Sequence, residues 1–263
     1  MVARKIGTFR IGEGGVRETT GDRWEFWIDR GGTFTDCIGV SPDGRWRVHK
    51  GLSSDEAPIL GIRAILEQDG AIGPGAPLPI CSVKLGSTVA TNALLERKGS
   101  PVVWVASRGL GDVLSIGTQQ RPELFRLKIE KASPLHAEVV ECGGRLSADG
   151  SALDALDEEA LRRALGDVRE SGVSALAVCL IHACQESGPE RRIAEIAREV
   201  GFEYVVGSHE IAPEVGLLSR AETTVADAYL TPLLRRHTDK LSQGLPGSLL
   251  RFMQSSGGLT RAD

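Results

Sequence analysis

The run WEFWIDRGGTFTDCIGV, residues 24–40, restricts this chain more than any other stretch, because two strand-like segments meet there across a turn crowded with Gly, Thr and Asp. Phe26 and Ile28 alternate with polar neighbours up to Asp29, and after Gly31 and Gly32 the residues Ile38 and Val40 resume an apolar strand. The pattern predicts a β-hairpin. Adjacent glycines let the backbone adopt positive φ and bring its N–H groups close to an anion, where larger side chains would intervene. Thr33 and Thr35 add hydroxyl donors, and Asp29 offers the hard oxygen that a Mg²⁺ accompanying a nucleotide takes, directly or through water. On the glycines alone, an ordinary hairpin connector is the better explanation.

The full run from Asp29 to Asp36 goes further, since two carboxylates and two hydroxyls flank one glycine pair. It resembles the opening motif of the hydantoinase and 5-oxoprolinase family, and Arg30 matches the form of its oxoprolinase branch. Residues 86–93, GSTVATNA, resemble that family's second motif with Ser87 in place of a Thr. The similarity continues through Ile116 to Gln119, Arg121 and Pro122, His209 to Pro213, the surroundings of Asp227, and the Gly257-Gly258 turn, so that it covers residue 24 to the last residue.

Composition excludes several function classes. A net charge of −4, with no dense Lys/Arg stripe interleaved with aromatics, argues against a general nucleic-acid binder. Cys37, Cys81, Cys142, Cys179 and Cys184 are scattered without a CxxC pair, so neither a zinc knuckle nor a disulfide framework is indicated. Residues 1–22 lack an apolar stretch of signal-peptide length and read as a flexible leader, and no later stretch approaches a membrane span. A soluble, cytoplasmic protein is expected.

The remaining pattern is α/β. After a turn at Ser41 to Gly44, Trp46 to Lys50 alternates as a third strand, and Glu56 to Gln68 carries a broad apolar helical face. A strand over Ser82 to Leu85 runs into a helix start with Ser87 or Thr88 as its cap; the exposed N–H groups there offer an anion site, although simple capping explains the pattern better. Pro101 to Ala106 reads as a buried strand. The punctuated loop after it holds Asp112, Gln119 and Arg121, which either orient an amide or carboxylate substrate or brace the surface. Glu138 to Leu146, with the turn at Ala148 to Gly150, suggests a short strand pair. Beyond it a helix over Asp157 to Glu170, a strand over Ala175 to Ile181, a helix over Pro189 to Val200 and a strand at Tyr204 to Val206 follow in βαβ order, implying parallel pairing. His182 and the carboxylate of Asp227 are read as structural. The longest helical pattern, Leu217 to about Gln243, is expected to break around Pro232, and Leu249 to Met253 is a final strand.

The resemblance implies the amino-terminal half of an actin-like, ribonuclease-H-like ATPase fold with an inserted βαβ subdomain. The domains expected are a leader at 1–22, an ATPase-like region at 23–126, the insertion at 127–208 and a truncated core domain from 209 to 263. ATP and Mg²⁺ are the implied cofactors. Asp29 is the catalytic and metal-holding candidate; Arg30, Gly31, Gly32, Thr33, Thr35, Asp36, Gly86, Ser87 and Thr88 are nucleotide-binding candidates; Thr91, Asn92, Gln119 and Arg121 are substrate-binding candidates. The implied reaction is ATP-dependent hydrolysis of 5-oxo-L-proline to L-glutamate, with the second phosphate loop and adenosine pocket lying downstream, so that this portion alone is expected to turn over poorly. A hydantoinase- or acetone-carboxylase-like ATP-using subunit, or a fragment that only binds nucleotide or a partner chain, remain the alternatives. Expected partners are a cyclic amide, the remaining part of the enzyme or a B-type subunit, and further copies of the chain in a homo-oligomer.

Overall fold

The computed structural model describes residues 23–118, 120, 123, 125–129 and 131–261. The chain forms β1 (Glu25–Arg30), β2 (Phe34–Val40), β3 (Trp46–Leu52), α1 (Ala57–Gln68), β4 (Ser82–Ser87), α2 (Val89–Leu95), β5 (Val102–Ser107), α3 (Val113–Ile116) and β6 (Glu138–Cys142). It continues with α4 (Glu158–Glu170), β7 (Ala175–Cys179), α5 (Gly188–Val200), β8 (Tyr204–Gly207), α6 (Ser208–Ile211), α7 (Leu217–Gly244), β9 (Leu249–Met253) and β10 (Leu259–Arg261). These elements fall into two compact units, one of the described residues 23–86 and 242–261, the other of the described residues between 87 and 241.

The first unit is built on a mixed sheet in the order β10-β9-β4-β1-β2-β3. β1, β2 and β3 form the antiparallel meander that alternation predicts, with Ile28 opposite Cys37 and Cys37 opposite His49. One face is buried beneath α1, where Phe26, Ile62, Ile65 and Leu66 are fully enclosed; each such side chain contributes roughly 1.5–3 kcal/mol of burial free energy. Helix and sheet come this close because Gly39 has no side chain, since a Cβ there would lie 2.8 Å from Ile65 Cγ2. The opposite face carries Trp27, Trp46 and Val48, all exposed, and Asp29 and Asp36 belong to that same side. β4 runs beside β1 in the same direction, since Ser82 N donates to Trp24 O and Gly86 lies against Ile28 and Asp29. β9 extends the parallel part along β4.

The second unit holds a wholly parallel sheet in the order β6-β5-β7-β8. One face packs an apolar cluster from Leu161 and Leu165 of α4 and Ile193 and Ile196 of α5; the other encloses Trp104 with Ala221, Val225 and Ala228 of α7. The βαβ order read from the sequence is present. Three particulars differ. β6 is not half of a strand pair with the residues after it, which make only an isolated bridge between Leu146 and Ala152; it pairs in parallel with β5 instead, burying Val140. Pro232 does not break α7, which runs through it. The compact unit also starts earlier and ends later than the insertion drawn at 127–208, because β5 and α7 share its core.

Candidate phosphate loop

The hairpin tip is a tightly braced turn. Gly31 N donates to Phe34 O at 3.0 Å, and a Cβ on Gly31 would sit 3.0 Å from the same oxygen, so glycine is needed for the approach of the two strands. Neither Gly31 nor Gly32 is among the described residues with positive φ, which corrects the expectation of left-handed glycines. Gly31 also spends its N–H inside the turn. Ser53, just past β3, holds the tip from behind: its hydroxyl donates to Gly31 O at 2.7 Å and its N–H to Thr33 O at 2.9 Å. Thr35 is buried and its hydroxyl lies 3.0 Å from that of Ser53, so it braces the loop and presents no donor at the surface. Ser53 is missing from the sequence reading because its partners are about twenty residues away and no periodicity marks it. Gly32 and Thr33 are left exposed at the tip.

Charges around this tip are unevenly matched. Arg30 pairs with Asp55 at 3.0 Å. Asp29 and Asp36 stand directly opposite each other across β1 and β2, an arrangement of like charges that costs stability. Lys50 takes both oxygens of Asp36 at 2.9 and 2.8 Å. Among the described residues no side chain pairs with Asp29, which is exposed. Gly86 keeps the space beside it open, since even a Cβ there would be 3.8 Å from Asp29 Oδ1. The donor set suits Mg²⁺, which keeps most of its water and binds through one or two carboxylates together with phosphate oxygens; among the described residues no cluster of three or more acidic, His or Cys side chains could form a closed cage.

The other candidates are placed as follows. Ser87, Thr88, Thr91 and Asn92 belong to the second unit. Thr88 occupies the cap position of α2 without a side-chain cap bond; Ser87 Oγ accepts from Val89 N at 3.2 Å, and Thr88 Oγ1 from Asn92 Nδ2 at 3.2 Å. Thr91 is exposed. Gln119 and Arg121 lie outside the described residues. His182 has φ of 65° and its Nδ1 lies 2.9 Å from Leu146 O, an anchoring contact. Asp227 accepts from the Tyr204 hydroxyl and from Thr231; burial, together with the bond to Asp227, pushes the Tyr204 phenol up to about 12.

A meander continued by parallel strands, with an acidic glycine turn at the end of its first hairpin, defines a mixed α/β protein whose conspicuous surface chemistry lies on one loop. The sequence matches the hydantoinase/oxoprolinase N-terminal region over residues 25–201, and the chain belongs to that family. It is 36% identical to the 5-oxoprolinase of Saccharomyces cerevisiae over 88% of this chain, and 32% identical to caprolactamase subunit alpha of Pseudomonas jessenii over 90% of it. It spans 21% of the first relative's length and 36% of the second's. Among solved structures, the ATP-dependent caprolactamase of Pseudomonas jessenii superposes with a TM-score of 0.74 at 31% identity, covering 90% of this chain and 36% of that one. The nucleotide-free acetone carboxylase superposes with a TM-score of 0.74 at 23% identity, covering 91% of this chain and 37% of that one, a likeness of fold. Among the described residues no helix is long and apolar enough to cross a membrane.

Proposed function

We propose that this chain is the nucleotide-binding amino-terminal portion of an ATP-dependent lactam hydrolase that converts 5-oxo-L-proline to L-glutamate with release of ADP and phosphate. The observation that carries this reading is Asp29, an exposed carboxylate that no side chain among the described residues pairs with, opposite Asp36, whose oxygens Lys50 takes. An unstrained lactam resists water, and transfer of phosphate to its oxygen provides a leaving group; positioning and electrostatic stabilisation are then most of what the protein must supply. On this reading Asp29 would hold Mg²⁺, which would supply positive charge to offset that of the phosphates. The exposed residues Gly32 and Thr33 would meet the phosphate tail with their N–H groups and the Thr33 hydroxyl, with Gly31, Thr35 and Ser53 fixing their geometry. Arg30 and Asp36, engaged with Asp55 and Lys50, set the charge at the loop's base. Ser87 and Thr88 are retained as nucleotide contacts, and Thr91 and Asn92 as substrate contacts, on the strength of the family resemblance.

The first unit's meander, continued in parallel by β4 and β9, also supports reading it as the amino-terminal half of an actin-like ATPase. The chain would then work with the remaining part of a longer enzyme or with a B-type subunit, in an oligomer and in the cytoplasm, where free thiols such as Cys184 persist. The caprolactamase relative favours a second reading, a different lactam as substrate. Calorimetry with Mg·ATP distinguishes the proposal from a loop of purely structural role: the parent chain is expected to bind, Asp29→Asn to bind at least tenfold more weakly, and neither to release ADP at an enzyme's rate with 5-oxo-L-proline. Equal binding by parent and variant would remove Asp29 from the site.

A further inference from the structure

The first unit's sheet is covered on one side only. From β3 to β4, and again from β4 to β9, the chain steps the same way across the sheet between parallel strands, and right-handed crossovers of that kind put both connections on one face. The last turn of α7 accordingly meets α1, where a Cβ on Gly244 would lie 2.2 Å from Ile59 Cδ1. The opposite face is open. Across β2 and β3 it pairs Val40 with Trp46, Ile38 with Val48 and Phe34 with Leu52, and Trp46, Val48 and Leu52 are 66%, 52% and 73% exposed. Trp27 extends the second of these rows onto β1, beneath the ammonium of Lys84. One charged row, Asp36 with Lys50, interrupts the apolar ones. Antiparallel strands that face water normally carry polar residues on that side, and a continuous apolar patch marks a contact surface.

We infer that this face docks an amphipathic helix from the remaining part of a longer enzyme, laid along β2 and β3 with its apolar stripe on the three pairs and a polar side chain over Asp36 and Lys50. The dimensions fit: Trp46 to Leu52 is six strand steps, roughly 20 Å, which a helix of about 13 residues matches. A helix is the element that covers the other face of the same sheet, and sheets with parallel strands take helices on both sides. The chain spans a minor part of its relatives' length, which leaves in them the polypeptide such a helix needs. The inference rests on the proposed function only for the chain's being one portion of a longer enzyme.

The test compares the isolated chain with a full-length enzyme in which it stands in for the portion of the Saccharomyces cerevisiae 5-oxoprolinase that it matches; caprolactamase subunit alpha of Pseudomonas jessenii provides a second frame if the first does not fold. Val48→Cys and Leu52→Cys put thiols on the open face, and their modification by N-ethylmaleimide is read peptide by peptide, so that the half-buried native Cys184 is counted apart. Labelling is expected to be as fast in the isolated chain as in urea, and at least about tenfold slower in the full-length enzyme, where it waits on an opening of the interface. Trp46→Glu should leave the melting temperature of the isolated chain unchanged and lower that of the full-length enzyme, since its carboxylate is then buried without a partner. Equal labelling in the two contexts overturns the inference. So does slow labelling in the isolated chain, which would give the face to residues 1–22 or to a second copy. Mg·ATP calorimetry on the isolated chain separates the two readings: nucleotide binding with an unprotected face sinks the docking surface alone, whereas a protected face without nucleotide binding sinks the ATP loop alone.

Discussion

Asp29, at the end of β1 in the first unit, and Glu190, in the first turn of α5 against the end of β7 in the second, are carboxylates whose surroundings are opposites. Glu190 is completely buried and accepts from Leu180 N at 2.8 Å, Ser208 Oγ at 2.7 Å, His209 N at 3.1 Å and His209 Nδ1 at 2.7 Å. Arg220, also buried, donates to the carbonyl of the same Leu180 at 2.7 Å, so the two charged groups grip both ends of one residue just beyond β7. Asp29 is exposed, unpaired among the described residues and set against another carboxylate. A saturated buried acid ties elements together. An unsaturated exposed one ties nothing together among the described residues, and the proposed function assigns it to a ligand, so the contrast sets a proposed binding loop in the first unit against a structural hub in the second.

The contrast breaks most readily at Glu190. Glu190→Ala strands four donors, two of them buried and two on half-buried His209, and is expected to cost about 3 kcal/mol or more, enough to leave a marginal fold unfolded; Glu190→Gln should recover only part, since its amide N–H groups face donors. Denaturant titration measures both, and a loss below about 1 kcal/mol would make the hub unimportant. Ser53→Ala should cost roughly 1 kcal/mol by releasing Gly31 O and the Thr35 hydroxyl, and should weaken nucleotide binding through a looser tip. Asp29→Asn is expected to move in the other direction, gaining a few tenths of a kcal/mol by relieving the pair with Asp36. Stability up with binding down is the signature of a functional carboxylate; stability down would mark Asp29 as structural.

The smallest effect is expected at Glu141, whose carboxyl is held below its ordinary range by the N–H groups of Gly109 and Gly111, at 3.0 and 2.7 Å. A depressed folded-state pKa contributes stability that is present above the unfolded value near 4.5 and lost as pH falls through the folded one. Melting temperatures of the parent should therefore drop more steeply on acidification than those of Glu141→Gln. Parallel curves would show the two backbone bonds to be without consequence.

Much of this was legible in the sequence for a physical reason. The meander, α1 and the two helices beside β7 show in a period of two or of 3.6 because one side of each is buried, β7 shows as an unbroken apolar run because both its faces are, and Ile193, Ile196 and Ala197 are inward as their spacing requires. What stayed hidden depends on partners far along the chain. Helical spacing sets Glu190 on the face of Ile193 and Ala197, but nothing local shows that Leu180, Ser208 and His209 converge on it. The β6 pairing was misplaced for the same reason: local turn chemistry around Gly150 suggests a hairpin, while burial of Val140 against the second unit's core favours β5. At the candidate phosphate loop the residue types were readable and their division of labour was not, because only the fold reveals that Thr35, the Gly31 N–H and the Thr33 carbonyl are spent internally while Gly32 and Thr33 stay exposed.

The central claim is that the tip of the first hairpin, with Asp29 beside it, holds the phosphates of a magnesium nucleotide. Its most direct test is an amide-resolved NMR titration of the chain with Mg·ATP. The account expects the Gly32 and Thr33 amides to shift most, saturably and only while Asp29 is present; large shifts confined to other segments, with these two amides unmoved, would contradict it.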